Sequence, residues 1–252
     1  MKKRLFKLYL MLWGLCIIFL FVIISAYESF SHITWIHIPF HSAIETIGAI
    51  AAIVTSLVLI KRFQQEQLDI FFMVATGMIC MGILDLFHAM CMPGEAFIFL
   101  HSIASLMGGI FFLMAWLPKP VNKEYMGEQQ WILWAAIIVC VSIGLRAIFF
   151  PEYVPQIIKL FDGSFTLPAI TINMIAGILF LISTPKYYFL AKSTQRQIFF
   201  IFMCLSFLFG IAELSFPYSN LWNIVWWIWH IFRLLGNVVL LWYLLNHSFC
   251  DI

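Results

Sequence analysis

Charge is what this sequence has least of. Only 10% of its 252 residues are charged while 63% are hydrophobic, against roughly a quarter charged in ordinary soluble domains. Too few polar side chains are present to solvate a globule of this size, so the apolar surface must face lipid. Paired cysteine spacing is also missing: Cys16, Cys80, Cys91, Cys140, Cys204 and Cys250 fall mostly inside apolar runs, which excludes a disulfide framework or a zinc finger. No Gly-rich phosphate loop and no nucleophile elbow occurs, so no soluble catalytic domain and no catalytic activity in this chain are expected. The net charge of +2 gives no reason to expect a nucleic-acid partner. The apolar runs lack the alternation of barrel strands.

What is present is a series of long apolar runs. In a bilayer the backbone must satisfy its own hydrogen bonds, which leaves helices once a barrel is excluded. Runs of about 17–25 residues match a helical crossing, and they predict spans over 8–26, 40–61, 69–91, 97–117, 131–150, 167–185, 197–216 and 222–246. Prolines mark the proposed ends: Pro39, Pro93, Pro118, Pro120, Pro151, Pro155, Pro168, Pro185 and Pro217. The expected fold is therefore an all-α polytopic transmembrane bundle forming a single domain over 1–252. It has eight spans, or seven if the first is a cleaved signal peptide with small residues at Ser25 and Ala26. The tryptophans and tyrosines are expected at headgroup level.

Basic residues orient the bundle. Lys2, Lys3, Arg4, Lys7, Lys61, Arg62, Lys119, Lys123, Lys186, Lys192 and Arg196 fall on one side of an eight-span arrangement and Lys159 alone on the other, which places both termini in the cytoplasm.

Titratable groups inside spans carry the functional information, because each costs a few kcal/mol in hydrocarbon unless it faces the bundle interior and finds a partner. They are His41 and Glu45, Asp85 and His88, His101, Arg146, Glu213, and His230 with Arg233. All lie in the outer halves of their spans. The pairs three or four apart share a helical face, and Gly48, Gly82, Gly108 and Gly109 let the second, third and fourth helices approach closely. His41, Glu45, Asp85, His88 and His101 are the expected ligand set of an outward-facing polar pocket. Glu213, His230, Arg233 and Cys91 are expected to support it or to signal. Imidazoles and carboxylates suit zinc, iron or copper, and Met90, Cys91 and Met92 add sulfur donors that favour copper. The same residues would also serve as an interhelical hydrogen-bond network without a ligand. His32 and His37 are expected in solvent, Arg146 is divided between the pocket and an interfacial position, and His247 is expected to be incidental.

Four blocks carry a resemblance: His41-Ser42-Ala43-Ile44-Glu45-Thr46, the run Met81 to Ala89, Leu100-His101-Ser102 running on to Gly108-Gly109 and Trp116-Leu117-Pro118, and Trp229 to Leu235. Together they resemble the MASE-type membrane-associated sensor domains found at the N-termini of bacterial histidine kinases and diguanylate cyclases. The resemblance implies a sensory input module in the bacterial inner membrane, homodimeric, with a cytoplasmic kinase or cyclase output domain as partner. The chain stops at Ile252 with no such domain, and Leu244 to His247 reads as a helix still leaving the membrane, as in an excised input domain. Two other classes remain open. A zinc hydrolase similar to the seven-helix ceramidase and adiponectin-receptor group would also gather His and Asp in a bundle, and a proton-coupled transporter would use the carboxylates as a relay.

In a cysteine-free background, single cysteines at positions 33 and 156 should label from outside the cell and those at 65 and 192 only from the cytoplasm. External labelling at 65 or 192 would reverse the orientation.

Overall fold

The computed structural model describes residues 2–30, 32–117, 126–157 and 163–247; Lys119, Lys123 and Lys159 of the charge distribution, and Pro118 and Pro120, lie outside them. Among the described residues eight long helices follow one another: α1 Lys2–Phe30, α2 Ile38–Glu66, α3 Asp69–Met90, α4 Glu95–Leu113, α5 Met126–Phe149, α6 Leu167–Thr194, α7 Gln197–Ser215 and α8 Ile224–His247. All eight are long and apolar enough to cross a bilayer. Short 3-10 turns extend α4 and α7 and follow α5, and no strand occurs among the described residues beyond an isolated bridge between Thr34 and Asn223.

Each expected span is found as a helix, and the differences lie at the ends. α2 runs on to Glu66 and α6 to Thr194, carrying each helix beyond its apolar run. Neither has a glycine where it stops. Instead Gln67 and Gln195 take the left-handed conformation (φ 54° and 58°), and their backbone N–H groups donate to Phe63 and Ala191. Their side-chain amides donate to the Gln64 and Lys192 carbonyls at 2.8 and 2.6 Å, which offsets part of the cost of that conformation.

Pro185 corrects an expectation: it lies inside α6 and does not end it. Proline cannot donate to the carbonyl four residues back, which here is Leu181. The Thr184 hydroxyl donates to that carbonyl at 2.8 Å, so the freed acceptor is satisfied and the helix continues. Pro39 and Pro168 do sit in first turns, as read from the sequence.

Six helices form a closed ring in the order α2, α3, α4, α6, α7, α8 and back to α2, while α5 packs outside on α3 and α1 lies mainly against α7. α1 rests on aromatic contacts such as Tyr9 on Tyr188 and Trp13 on Phe207. Ring closure depends on small residues at the crossings. A Cβ on Gly82 would stand 2.8 Å from the Ala49 carbonyl oxygen, and one on Gly177 would stand 2.9 Å from that of Gly210, so α2–α3 and α6–α7 touch backbone to backbone. At one end of the ring Arg196 pairs with Glu66 at 2.6 Å, and Arg62 donates to the His247 carbonyl at 3.0 Å. The buried titratable groups lie at the other end.

Gly177→Val should therefore lower stability in detergent by about 1–3 kcal/mol, read from thermal unfolding. Gly14→Ala, with nothing within 4 Å of the added carbon, should not. Equal melting of the two variants would contradict the ring packing.

Candidate functional site

Five helices aim side chains into the site end of the ring. α2 supplies His41 and Glu45 from its first two turns, α3 supplies Asp85 and His88 from its last, and α4 supplies His101 and Ser105. α7 adds Glu213, and α8 adds His230 and Arg233. The titratable residues among these are 6% exposed or less. α2 and α8 run side by side in the same direction, which sets His230 beside His41.

The groups sort into two layers. In the upper layer three imidazoles converge through their Nε2 atoms: His41 to His230 at 3.0 Å and His41 to His88 at 3.4 Å. Their tautomers follow from their other nitrogens. His88 Nδ1 donates to the Phe97 carbonyl at 2.6 Å and His230 Nδ1 to the Trp226 carbonyl at 2.7 Å. Both neutral rings therefore turn an Nε2 lone pair inward. One proton, on His41 Nε2, can answer only one of those lone pairs, and His41 Nδ1 has no hydrogen-bond partner. Glu45 Oε1 lies 3.5 Å from His230 Nε2, and the donor atoms of His41, Glu45, His88 and His230 all lie within 4.8 Å of one another.

These donor atoms are of the kind that could hold a metal ion. Ligand nitrogens about 2.0–2.1 Å from a tetrahedral ion stand about 3.3 Å apart, close to the two separations found, and the backbone carbonyls behind His88 and His230 are the usual second partners of a metal-bound histidine.

The lower layer is an ion-pair network. Arg233 Nη2 donates to Asp85 Oδ2 at 2.7 Å, while Nη1 lies 2.7 and 2.8 Å from the two ring nitrogens of His101 and donates to Ser105 Oγ at 3.1 Å. Ser105 donates in turn to Glu213 Oε1 at 2.7 Å, and that oxygen is 3.8 Å from Nη1. Asp85 thus makes the direct pair with Arg233, and Glu213 is reached mainly through Ser105.

Aromatic rings close the site end. Trp229 stacks on His230 at 3.7 Å and Trp226 lies 3.8 Å from the same ring, while Phe97 and Trp226 flank His41. Above them Trp222 holds a left-handed backbone (φ 70°), unusual for so large a residue. The Trp35 N–H donates to its carbonyl at 2.9 Å. The tryptophans divide into two groups: Trp222, Trp226, Trp227 and Trp229 are buried as a cap, whereas Trp131, Trp134 and Trp242 are exposed. Asn223 starts α8 beneath that cap by accepting from the Trp226 N–H at 2.8 Å.

A model of the membrane-associated sensor domain MASE3 matches residues 33–249. The chain belongs to the MASE3 family. No curated protein and no solved structure matches it. The matched residues of this MASE3 chain run from the loop before α2 beyond the end of α8, so they contain the whole helix ring and both layers of the site, while α1 lies outside them.

Of the sequence-expected ligands, His41, Glu45 and His88 come together in the upper layer. Asp85 and His101 are drawn instead to Arg233, and His230, expected in a supporting role, stands among the converging imidazoles. Cys91 is half-buried, caps α3 through its backbone N–H and lies outside the donor cluster, and Met90 and Met92 are exposed. Arg146 is exposed, with its guanidinium 6.0 Å from the Tyr153 ring centre. His37 is exposed and caps α2 by accepting from the Phe40 N–H at 3.0 Å, and His247 is exposed at the far end of α8. Ser105 and Asn237 were missed as polar members of the site. The signal available was their spacing on the polar faces of α4 and α8, four residues after His101 and Arg233.

Proposed function

We propose that this MASE3 domain is a sensory input module that binds one divalent transition-metal ion through His41, His88, His230 and Glu45, and reports its occupancy through α8. The observation that supports this best is the convergence of three Nε2 atoms with fewer protons than lone pairs. An electrophile is the missing component, and a bound ion would supply that positive charge. Three nitrogens and a carboxylate oxygen, with no cysteine in the donor cluster among the described residues, favour the zinc and iron(II) class over Cu(I).

The chain's own residues do the rest. The Phe97 and Trp226 carbonyls fix the tautomers and aim of His88 and His230, and the tryptophan cap keeps water from the ring nitrogens. Glu45 is shared electrostatically between the imidazoles and the Arg233 layer beneath, so engaging it above alters the charge that Arg233 meets below. A ligand biases two states only through such differential contacts. α8 carries both His230 and Arg233 and is tied to α2 at each end, by His41 at one and by Arg62 at the other. A change in the α2–α8 contact at the site is therefore carried along paired helices to the opposite face, where a cytoplasmic histidine kinase or diguanylate cyclase domain would receive it.

Elemental analysis of the detergent-purified domain, and of its fusion to a kinase domain, tests the reading. We expect one equivalent of metal in the wild type, at least a tenfold loss of affinity in His88→Ala and His230→Ala, and loss of metal-dependent kinase output in the same variants. Full metal occupancy in both folded variants would refute the site, and unchanged metal-dependent output in either would refute the route through α8.

A further inference from the structure

Glu45 belongs to two donor sets. Its carboxylate lies within 4.8 Å of the ligand atoms of His41, His88 and His230, and also within 4.8 Å of those of Asp85 and His101. The second set is as deeply buried as the first, with Glu45 6%, Asp85 3% and His101 1% exposed. Two carboxylates and an imidazole make a complete set of protein ligands for a transition-metal ion with an open position. A carboxylate shared between neighbouring donor sets is how two-metal centres hold ions about 3.5–4 Å apart.

A cation already occupies the second set, and it is part of the chain. Arg233 can only donate, and lone pairs are offered to it by Asp85 Oδ2 at 2.7 Å, by one of the two His101 ring nitrogens that lie at 2.7 and 2.8 Å, and by Ser105 Oγ at 3.1 Å. Asp85 Oδ1 remains buried without a partner. Asp85 lines a small, water-sized void with Glu45, Gly48 and Asn237, and the Asn237 Oδ1 is also unpartnered. Guanidinium contacts leave acceptors unused here that a spherical ion with more coordination positions would engage.

We infer that Glu45, Asp85 and His101 form a second metal-binding site in which the Arg233 guanidinium serves as a tethered cation, and that removing Arg233 opens this site to a second divalent ion. Charge supports the assignment. Glu45, Asp85 and Glu213 carry three negative charges when ionised, which one divalent ion in the upper layer and one guanidinium in the lower layer balance. The arrangement explains why an arginine is buried against a histidine, whose ring offers it a lone pair. The inference takes its bridging carboxylate from the first-site reading, while the Asp85 and His101 donors are independent of that reading.

The test is the number of Co2+ ions bound per folded chain in wild type, Arg233→Met and Arg233→Gln, with folding checked by size-exclusion chromatography. The glutamine variant keeps an amide donor for Asp85, so it can fold where the methionine variant does not. We expect one ion in wild type and two in the Arg233 variants, with magnetic coupling that lowers the electron paramagnetic resonance signal per cobalt. Adding His101→Ala should return the count to one. A single ion in the folded Arg233 variants overturns the second site and leaves the first reading intact, and two ions in wild type overturn the tethered-cation role. No ion in wild type but one in the Arg233 variants, lost on adding His101→Ala, refutes the first site and supports the second. No ion in any of them refutes both.

Discussion

Everything at the site end of this bundle is arranged around one buried guanidinium. An arginine within a lipid-facing helix is costly unless its charge is met inside the protein, and leaving such a group without its partner costs several kcal/mol. Arg233 on α8 is met by Asp85 on α3, by His101 and Ser105 on α4 and, through Ser105, by Glu213 on α7. Four helices of the ring are therefore locked to one another by a single side chain. α2 joins them through Glu45, which lies between that network and the imidazoles above it.

The packing elsewhere serves the same end. Glycines at the α2–α3 and α6–α7 crossings bring backbones together without a hydrophobic driving force between helices. The buried tryptophans close the remaining face. Between cap and arginine lie three imidazoles, two of them fixed by carbonyls so that their lone pairs point at the same place. In the lower layer the Arg233 guanidinium supplies donors to Asp85, His101 and Ser105, whereas the upper layer is built from imidazoles and one carboxylate, and this contrast separates the two layers chemically.

Eight helices, and the gathering of titratable groups at one end, were legible in the sequence because hydropathy and the depth of a residue along a span are local properties. The resemblance carried by His41 to Thr46, Met81 to Ala89 and Trp229 to Leu235 likewise pointed to the sensor family that the chain belongs to. The division of the site into layers was not legible. Asp85 and His88 share a helical face, yet one turn of α3 separates an ion pair from an imidazole cluster. His230 could be recognised as a partner of His41 only once α2 and α8 were known to lie side by side, a long-range pairing that spacing does not encode. Pro185 was misplaced because its effect is cancelled by the hydroxyl of the residue before it, and the tryptophan cap was not legible because the burial of a tryptophan depends on which helices meet around it.

X-ray absorption spectroscopy at the metal edge tests the central claim most directly, since it reports the atoms bound to the ion and their distances. For the zinc-loaded domain we expect a first shell of nitrogen and oxygen at about 2.0–2.1 Å, with the multiple-scattering signature of about three imidazoles. In His230→Ala that signature should be lost. A first shell containing sulfur at about 2.3 Å, or an imidazole count unchanged by His230→Ala, would contradict the account.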